Sequence, residues 1–535
     1  MANHYDPNGT RIYRHYKYAE PPEELLKANK ITPSADELAA NAKKLEEIMP
    51  QFIKAEAKVV STIPGPQVTR YEMAIAPNTP LKSILQHSAD IAYELAVNGA
   101  VRIEAPIIGK RGIIAIEVPN KKRAIVGLHE IITSCEFIVS RTNAIFAVGR
   151  SFYGDSVVSN LETIPHLLIA GQANSGIYEW LSSFIVSLMY KSGPDDVKFI
   201  LIGSGRSQLS LFNAMPHMLV ENIIAGSGEA LNALKWAINE VSRRKVFFQH
   251  YDCTTLSEYN ALPDVNDGNI AKMPRVVIVI NDLANLQHSC MSRAIEDSIA
   301  KIAGDAKQTG IHLVIASSDT SCDVISGSIK CNINDRIAFK VKDPVSSRIV
   351  LDKTGAETLL GRGDMLYYPS SVNKTSILES ICVGGCEGLA LRCADEEEVS
   401  IKPYNGNKEW RVQGAYITEE EICAVVEYMQ DHYESDFDKD IEKFLSNHII
   451  EKCNDGIEMD PLASRVMAHA ITTGSIYPSL IWNRFDIDLT RAKRLIRNLE
   501  QRGFLGPITG EAKPRDILMT REQYKEVFGY DIDEV

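Results

Sequence analysis

Apolar and polar positions along this chain follow two rhythms, and the change falls near residue 126. Before it, the blocks are short. Ser34-Ala35-Asp36 offers a helix cap, and Leu38, Ala42, Leu45 and Met49 recur on one face of the run behind it. Residues 58–62, 68–74, 101–105 and 112–118 read as strands, with a helix around 81–97 among them. Interspersed elements of this kind predict a small α+β domain over 35–125. From 126 to 368 the strands become buried-looking, mostly apolar runs at 166–170, 197–202, 276–280, 312–316 and 336–341, mostly separated by helix-length stretches. That pattern predicts an α/β domain with a parallel sheet covered on both faces. Residues 1–34, rich in Pro, Tyr and Lys, read as an arm, 369–408 as an insertion and 409–459 as an acidic helical connector. In 460–535, helices at 462–470, 477–484 and 490–501 precede a turn at Gly503 and two short segments that could pair as a β-wing. This predicts a winged helix-turn-helix.

The first turn after a buried strand carries the candidate chemistry. Gly171-Gln172-Ala173-Asn174-Ser175-Gly176-Ile177-Tyr178 has the spacing and both glycines of G-x-x-x-x-G-K-[ST], between a predicted strand and a predicted helix. An open α/β sheet places its ligand at such a turn. In that pattern a lysine reaches the β/γ-phosphates and a hydroxyl ligates Mg²⁺. Here Ile177 and Tyr178 occupy those two positions. Gly171, Asn174, Ser175 and Gly176 keep the backbone frame, whose amides at a helix N-terminus still attract an anion. The expectation is weak or absent binding of ATP and Mg²⁺, and no required cofactor.

Composition narrows the class. In 535 residues, 45% apolar and 24% charged content is that of an ordinary soluble protein, and the length accommodates three or four domains. The apolar runs are far shorter than the ~20 residues of a membrane span, and the polar start does not read as a signal peptide. Ten irregularly spaced cysteines suit a reducing cytoplasm; Cys382, Cys386 and Cys393 lack paired C-x₂-C spacing and read as unligated thiols. A net charge of −13 argues against nucleic-acid binding over the whole surface. It leaves room for a local patch, and Arg491, Lys493, Arg494 and Arg497 cluster on the third C-terminal helix. Asp486, Asp488 and Glu500 share that stretch, so a solvated charged face is the competing reading.

Several strings in order resemble the cytoplasmic motor of the FtsK/SpoIIIE family of DNA translocases. Residues 65–72 (GPQVTRYE), 102–106 (RIEAP) and 116–120 (IEVPN) resemble that family's α domain. Residues 165–171, 187–192, 310–314, 332–339, 347–352 and 361–367 resemble its RecA-like β domain, and 475–518 its winged-helix γ domain. The resemblance implies a P-loop NTPase core and double-stranded DNA as a partner. It also implies a possible hexameric ring, built from this chain or with an active relative. The membrane anchor usual in the family is not expected here, and the cytoplasm is the expected location.

Against the family pattern, the Walker B aspartate and glutamate fall on Asn281 and Asp282, and the sensor glutamine on Ser318. The Ile-Asp-Pro-Lys motif reads Ile202-Gly203-Ser204-Gly205, and its downstream glutamate falls on Gln208. Arg336 and Arg348 both resemble the arginine supplied across a subunit interface. Ile177, Tyr178, Asn281, Asp282 and Ser318 are thus expected to be vestigial, in a DNA-binding pseudo-motor serving chromosome or DNA transport. The alternatives are an active ATP-dependent translocase and a protein-interaction scaffold without DNA binding.

Overall fold

In the computed structural model of the chain, residues 18–369, 410–446, 462–506 and 517–524 are described, apart from 29–34, 54–55, 77–78, 98–100, 106, 108–110, 122–123, 141, 152–153, 205–206, 288, 290, 486–488, 502 and 522. Nearly all of the expected insertion, with its three cysteines, lies outside them. The chain divides into two units, one holding both sheets and one holding the C-terminal helices.

In the first unit the helix Ala35–Ile53 precedes a four-stranded antiparallel sheet in the order β1-β2-β4-β3. Its strands are β1 (Ala57–Pro64), β2 (Val68–Ile75), β3 (Arg102–Glu104) and β4 (Ile113–Pro119). Side chains alternate along a strand, so Tyr71, Met73, Ile103, Ile114, Ile116 and Val118 share one face. They pack with Leu45, Ile48 and Met49 of the helix. Arg70, Glu72, Arg102, Glu104 and Glu117 take the other face. The helix expected around 81–97 forms as two short ones, Leu81–Leu85 and Ser88–Glu94.

The second sheet has nine strands in the order β6-β5-β13-β12-β11-β7-β10-β9-β8. β7 (His166–Ala170), β8 (Val197–Ile202), β9 (Arg275–Ile280), β10 (Ile311–Ser317) and β11 (Asp335–Phe339) are parallel, and they are the five apolar runs of the sequence. Every residue of β7, β8, β10 and β11 is buried, as strands covered on both faces require. β10 and β11 flank β7 on opposite sides, so the turn after β7 sits at a topological switch point. This is the RecA-like P-loop core.

Two expected boundaries move. β12 (Asp364–Tyr368) and β13 (Trp410–Gly414) extend the sheet antiparallel and join it to β5 (Ile145–Ser151) and β6 (Ser156–Asn160). The start of the expected connector is therefore an interior strand. The helix Glu419–His432 behind it buries Ile422, Val425 and Met429 in the same core, with Thr418 and Glu421 forming its capping box. Residues 18–28 of the expected arm are also built in. Leu26 is buried in that core, the Tyr18 hydroxyl donates to the Met189 carbonyl, and Tyr190 donates to the Pro22 carbonyl at 3.0 Å.

The second unit holds helices Ala463–Thr473, Pro478–Phe485 and Leu489–Gln501 around a core that includes Val466, Met467, Ile481, Leu495, Ile496 and Leu499. Leu505 and Ile517 form one antiparallel bridge, in the two segments expected to pair.

Candidate functional site

The turn 171–176 links β7 to the helix Ile177–Lys191. Gly171 leaves no room for a side chain, since a Cβ would lie 2.7 Å from that of Phe339 and 3.0 Å from Ser175 Oγ. Gly176 has φ +109°, and a Cβ there would collide with the amide nitrogen of Gly363. Asn174 takes φ +60°, a conformation that asparagine tolerates better than most residues. Gly171 N–H donates to the Ser317 carbonyl at 3.2 Å and Gln172 N–H to the Lys340 carbonyl at 2.8 Å. Gly363 N–H donates to the Ser175 carbonyl at 2.8 Å. The first helical bond runs from Trp180 N–H to the Gly176 carbonyl, so the amides of residues 177–179 lie outside the helical ladder. The frame of an anion-binding turn is in place.

Its side chains point to different chemistry. Ile177 is 4% exposed and belongs to the hydrophobic core with Trp180, Leu181 and Phe184. Tyr178 is half-buried beside Ser318 and Asp282. Burial, then the nearby Asp282 charge, pushes its phenol above the ordinary range, so it stays neutral. Asp282 accepts from Ser318 Oγ at 3.3 Å and from the Ser318 amide at 3.4 Å. Asn281, just after β9, is buried against Gly203, and its Oδ1 has no hydrogen-bond partner among the described residues. Ser175 Oγ is likewise buried and unpartnered. Tyr178, Asp282 and Ser318, spread over 140 residues of chain, thus lie together beyond the ends of β7, β9 and β10, without a cation among those three side chains.

The two candidate interface arginines part company. Arg336 is buried on β11, bonded to Asp352 at 2.5 Å and to the carbonyls of Lys330, Ile333 and Val350. It is engaged within its own chain, whereas Arg348 is exposed on the helix Pro344–Leu351. In the second unit, Arg491, Lys493, Arg494 and Arg497 all lie on the helix Leu489–Gln501. Lys493 and Arg497 are exposed and one helical turn apart, opposite a buried face that contains Leu495 and Leu499.

Sequence reasoning missed one polar centre. Arg411 of β13 places Nε 3.0 Å and Nη2 2.6 Å from the two carboxylate oxygens of Asp364, while Nη1 pairs with Glu117 of the small sheet. The signal available was a few charges set among apolar strand residues: Arg70 and Glu72 on either side of Tyr71, and Glu117 within the apolar run 113–118.

Comparison with known proteins bears on both sheets. Residues 21–120 match the model of the FtsK alpha domain, and 127–322 match that of the FtsK/SpoIIIE family. The chain is 36% identical over 514 residues to the DNA translocase FtsK of Clostridium acetobutylicum, covering 94% of this chain and 61% of that one. It is 33% identical over 491 residues to the DNA translocase SpoIIIE of Bacillus subtilis, covering 91% and 57%. The chain therefore spans about three-fifths of the length of these curated relatives. Among solved structures, the pCW3 conjugation coupling protein TcpA, solved as a monomer with ATPγS, is similar at TM-score 0.46 and 16% identity over 74% of this chain and 99% of its own. The cytoplasmic domain of the type VII secretion ATPase EccC of Thermomonospora curvata is similar at 0.43 and 16% over 57% and 34%.

Proposed function

The chain belongs to the FtsK/SpoIIIE family, and on that premise we propose that it is a pseudo-motor: a translocase-family subunit that engages double-stranded DNA without hydrolysing ATP. The observation that carries this reading is the placement of two side chains. Ile177 is packed into the core, and Tyr178 is half-buried beside Ser318 and Asp282, where the P-loop pattern requires a cation and a metal-ligating hydroxyl. Phosphoryl transfer depends on charge neutralisation and positioning, so losing one such contact removes about 3 kcal/mol of transition-state stabilisation. ATP and Mg²⁺ then bind weakly or not at all. The C-terminal unit acts as a winged helix whose Arg491, Lys493, Arg494 and Arg497 face the phosphate backbone. The subunit works in the cytoplasm, in chromosome or DNA transport, as a docking scaffold or as a non-hydrolysing member of a ring.

An active translocase is the second reading. It is favoured by the intact backbone frame of 171–176 and by the carboxylate of Asp282 just beyond β9. DNA-stimulated ATP hydrolysis by the natural chain and by the Ile177→Lys, Tyr178→Ser double variant separates the two. The expected result is no turnover above background in the natural chain and magnesium-ATP binding gained by the variant. Turnover in the natural chain overturns the pseudo-motor.

A further inference from the structure

On the charged face of the small sheet, strand register sets Arg70 and Arg102 each directly opposite Glu117. Arg70 Nη1 lies 2.6 Å from Glu104 and 3.4 Å from Glu117, and Arg102 lies 3.8 Å from Glu117. Burial by itself would raise the Glu117 carboxyl. Arg411, Arg102 and Arg70 outweigh that and hold it below the ordinary carboxylate range, so it is ionised. Arg411 bridges from this row into the large sheet, where Asp364 receives its bidentate grip. Asp364 is diagonal to Arg411 across the β12–β13 ladder, since its register partner is Gln413, two residues on.

From Asp364 the contacts continue to the candidate site. Its Oδ2 also accepts the Leu360 amide at 2.8 Å, which closes the loop 360–364. Gln413 Nε2 holds the Arg362 carbonyl of the same loop at 2.9 Å. The next residue of the loop is Gly363, whose amide donates to the Ser175 carbonyl. Gly176 and Gly363 have no side chains to act as spacers, so their backbones abut. The hydroxyl of Ser175 makes no bond among the described residues, and the turn takes this support from outside itself.

We propose that Glu117, Arg411 and Asp364 form a positioning relay through which the small sheet domain sets the conformation of the turn 171–176. Simple adhesion between the two sheets would be served as well by apolar residues, because burying ions costs several kcal/mol each before their attraction returns it. A paired and bidentate network instead permits one geometry, and that geometry fixes Gly363 against Ser175. A shift of the small domain moves Arg411, then Asp364, then the bond to the turn.

Amide hydrogen exchange without nucleotide tests the relay, so its failure leaves the pseudo-motor reading untouched. Glu117→Gln is compared with Glu240→Gln, which disrupts another largely buried pair, with Arg244 on the helix Ser227–His250, away from the relay. The expected result is exchange about tenfold faster in peptides covering 171–179 and 361–364 for Glu117→Gln, and unchanged there for Glu240→Gln. Natural exchange rates in both peptides for Glu117→Gln, or an equal rise in the two variants, overturns the proposal. If Glu117→Gln does not fold, Arg102→Gln removes a weaker contact on the same carboxylate, and the same two outcomes decide.

Discussion

At the head of the helix Ile177–Lys191, the lysine position of the P-loop pattern holds an isoleucine that is 4% exposed. On β13, Arg411 is just as buried, with its side chain 4% exposed, and it keeps a full charge between Glu117 and Asp364. The difference lies in what surrounds each position. Strand register delivers Glu117 and Asp364 to Arg411 from two sheets, so each ion finds its partner already oriented. At the turn, position 177 is enclosed by core side chains, and the nearby Tyr178 and Ser318 are neutral. An ion without a fixed partner is the costlier occupant of a buried place, and an apolar residue is the cheaper one.

Truncation should expose that contrast most strongly. Arg411→Ala leaves two carboxylates buried without their shared cation and is expected to cost about 3–5 kcal/mol in denaturant unfolding. Ile177→Ala removes only packing, for about 2–5 kcal/mol according to how far the site collapses. If Arg411→Ala proves nearly neutral, the network is not a defined ion cluster and the comparison fails. If Ile177→Ala proves neutral, Ile177 is not a packed part of the core.

Acid should separate buried ions from buried neutral groups by pH window. Burial, then Lys307, lowers the His166 imidazole to about 4, and burial lowers His217 to about 3. Below about 6.5 the unfolded imidazoles take up protons that the folded ones refuse, so their contribution is complete above 6.5 and is lost as pH falls toward 4 and 3. Each such group tilts stability by about 1.4 kcal/mol per pH unit inside its window. Glu117, held below the carboxylate range, keeps its contribution down to its unfolded value and loses it only as pH falls further. Unfolding curves from pH 7 to 3 should therefore weaken first through histidine. A flat profile between 6.5 and 4 contradicts the placement of His166 and His217.

The smallest effects belong to the exposed charges of the C-terminal unit. Lys493→Ala and Arg497→Ala should each change stability by no more than about 0.5 kcal/mol. If each contacts a phosphate, each should reduce the salt slope of duplex binding by about 1. Unchanged slopes in both variants would remove this face from the proposed DNA contact.

Legibility in the sequence followed the range of the forces involved. The five parallel strands announce themselves as mostly apolar runs, and the turn 171–176 as a spaced pair of glycines. β13 was not legible, because its partners β12 and β5 lie 42 and more than 250 residues away, and its five residues Trp-Arg-Val-Gln-Gly have no apolar run. Residues 18–28 read as a polar arm because no apolar periodicity marks them, although Leu26 and Tyr18 are held by the core.

Within one chain, then, the sequence by itself determined everything set by near neighbours. That includes the buried parallel strands, the loop frame and the absence of a lysine at 177. Only the tertiary structure decided that Arg336 is engaged internally, that Tyr178 meets Asp282 and Ser318, and that Arg411 joins Glu117 across 294 residues. Local spacing sets which face a side chain takes, but a buried charge is stable only beside a partner, and partners this distant meet only when the sheets pack.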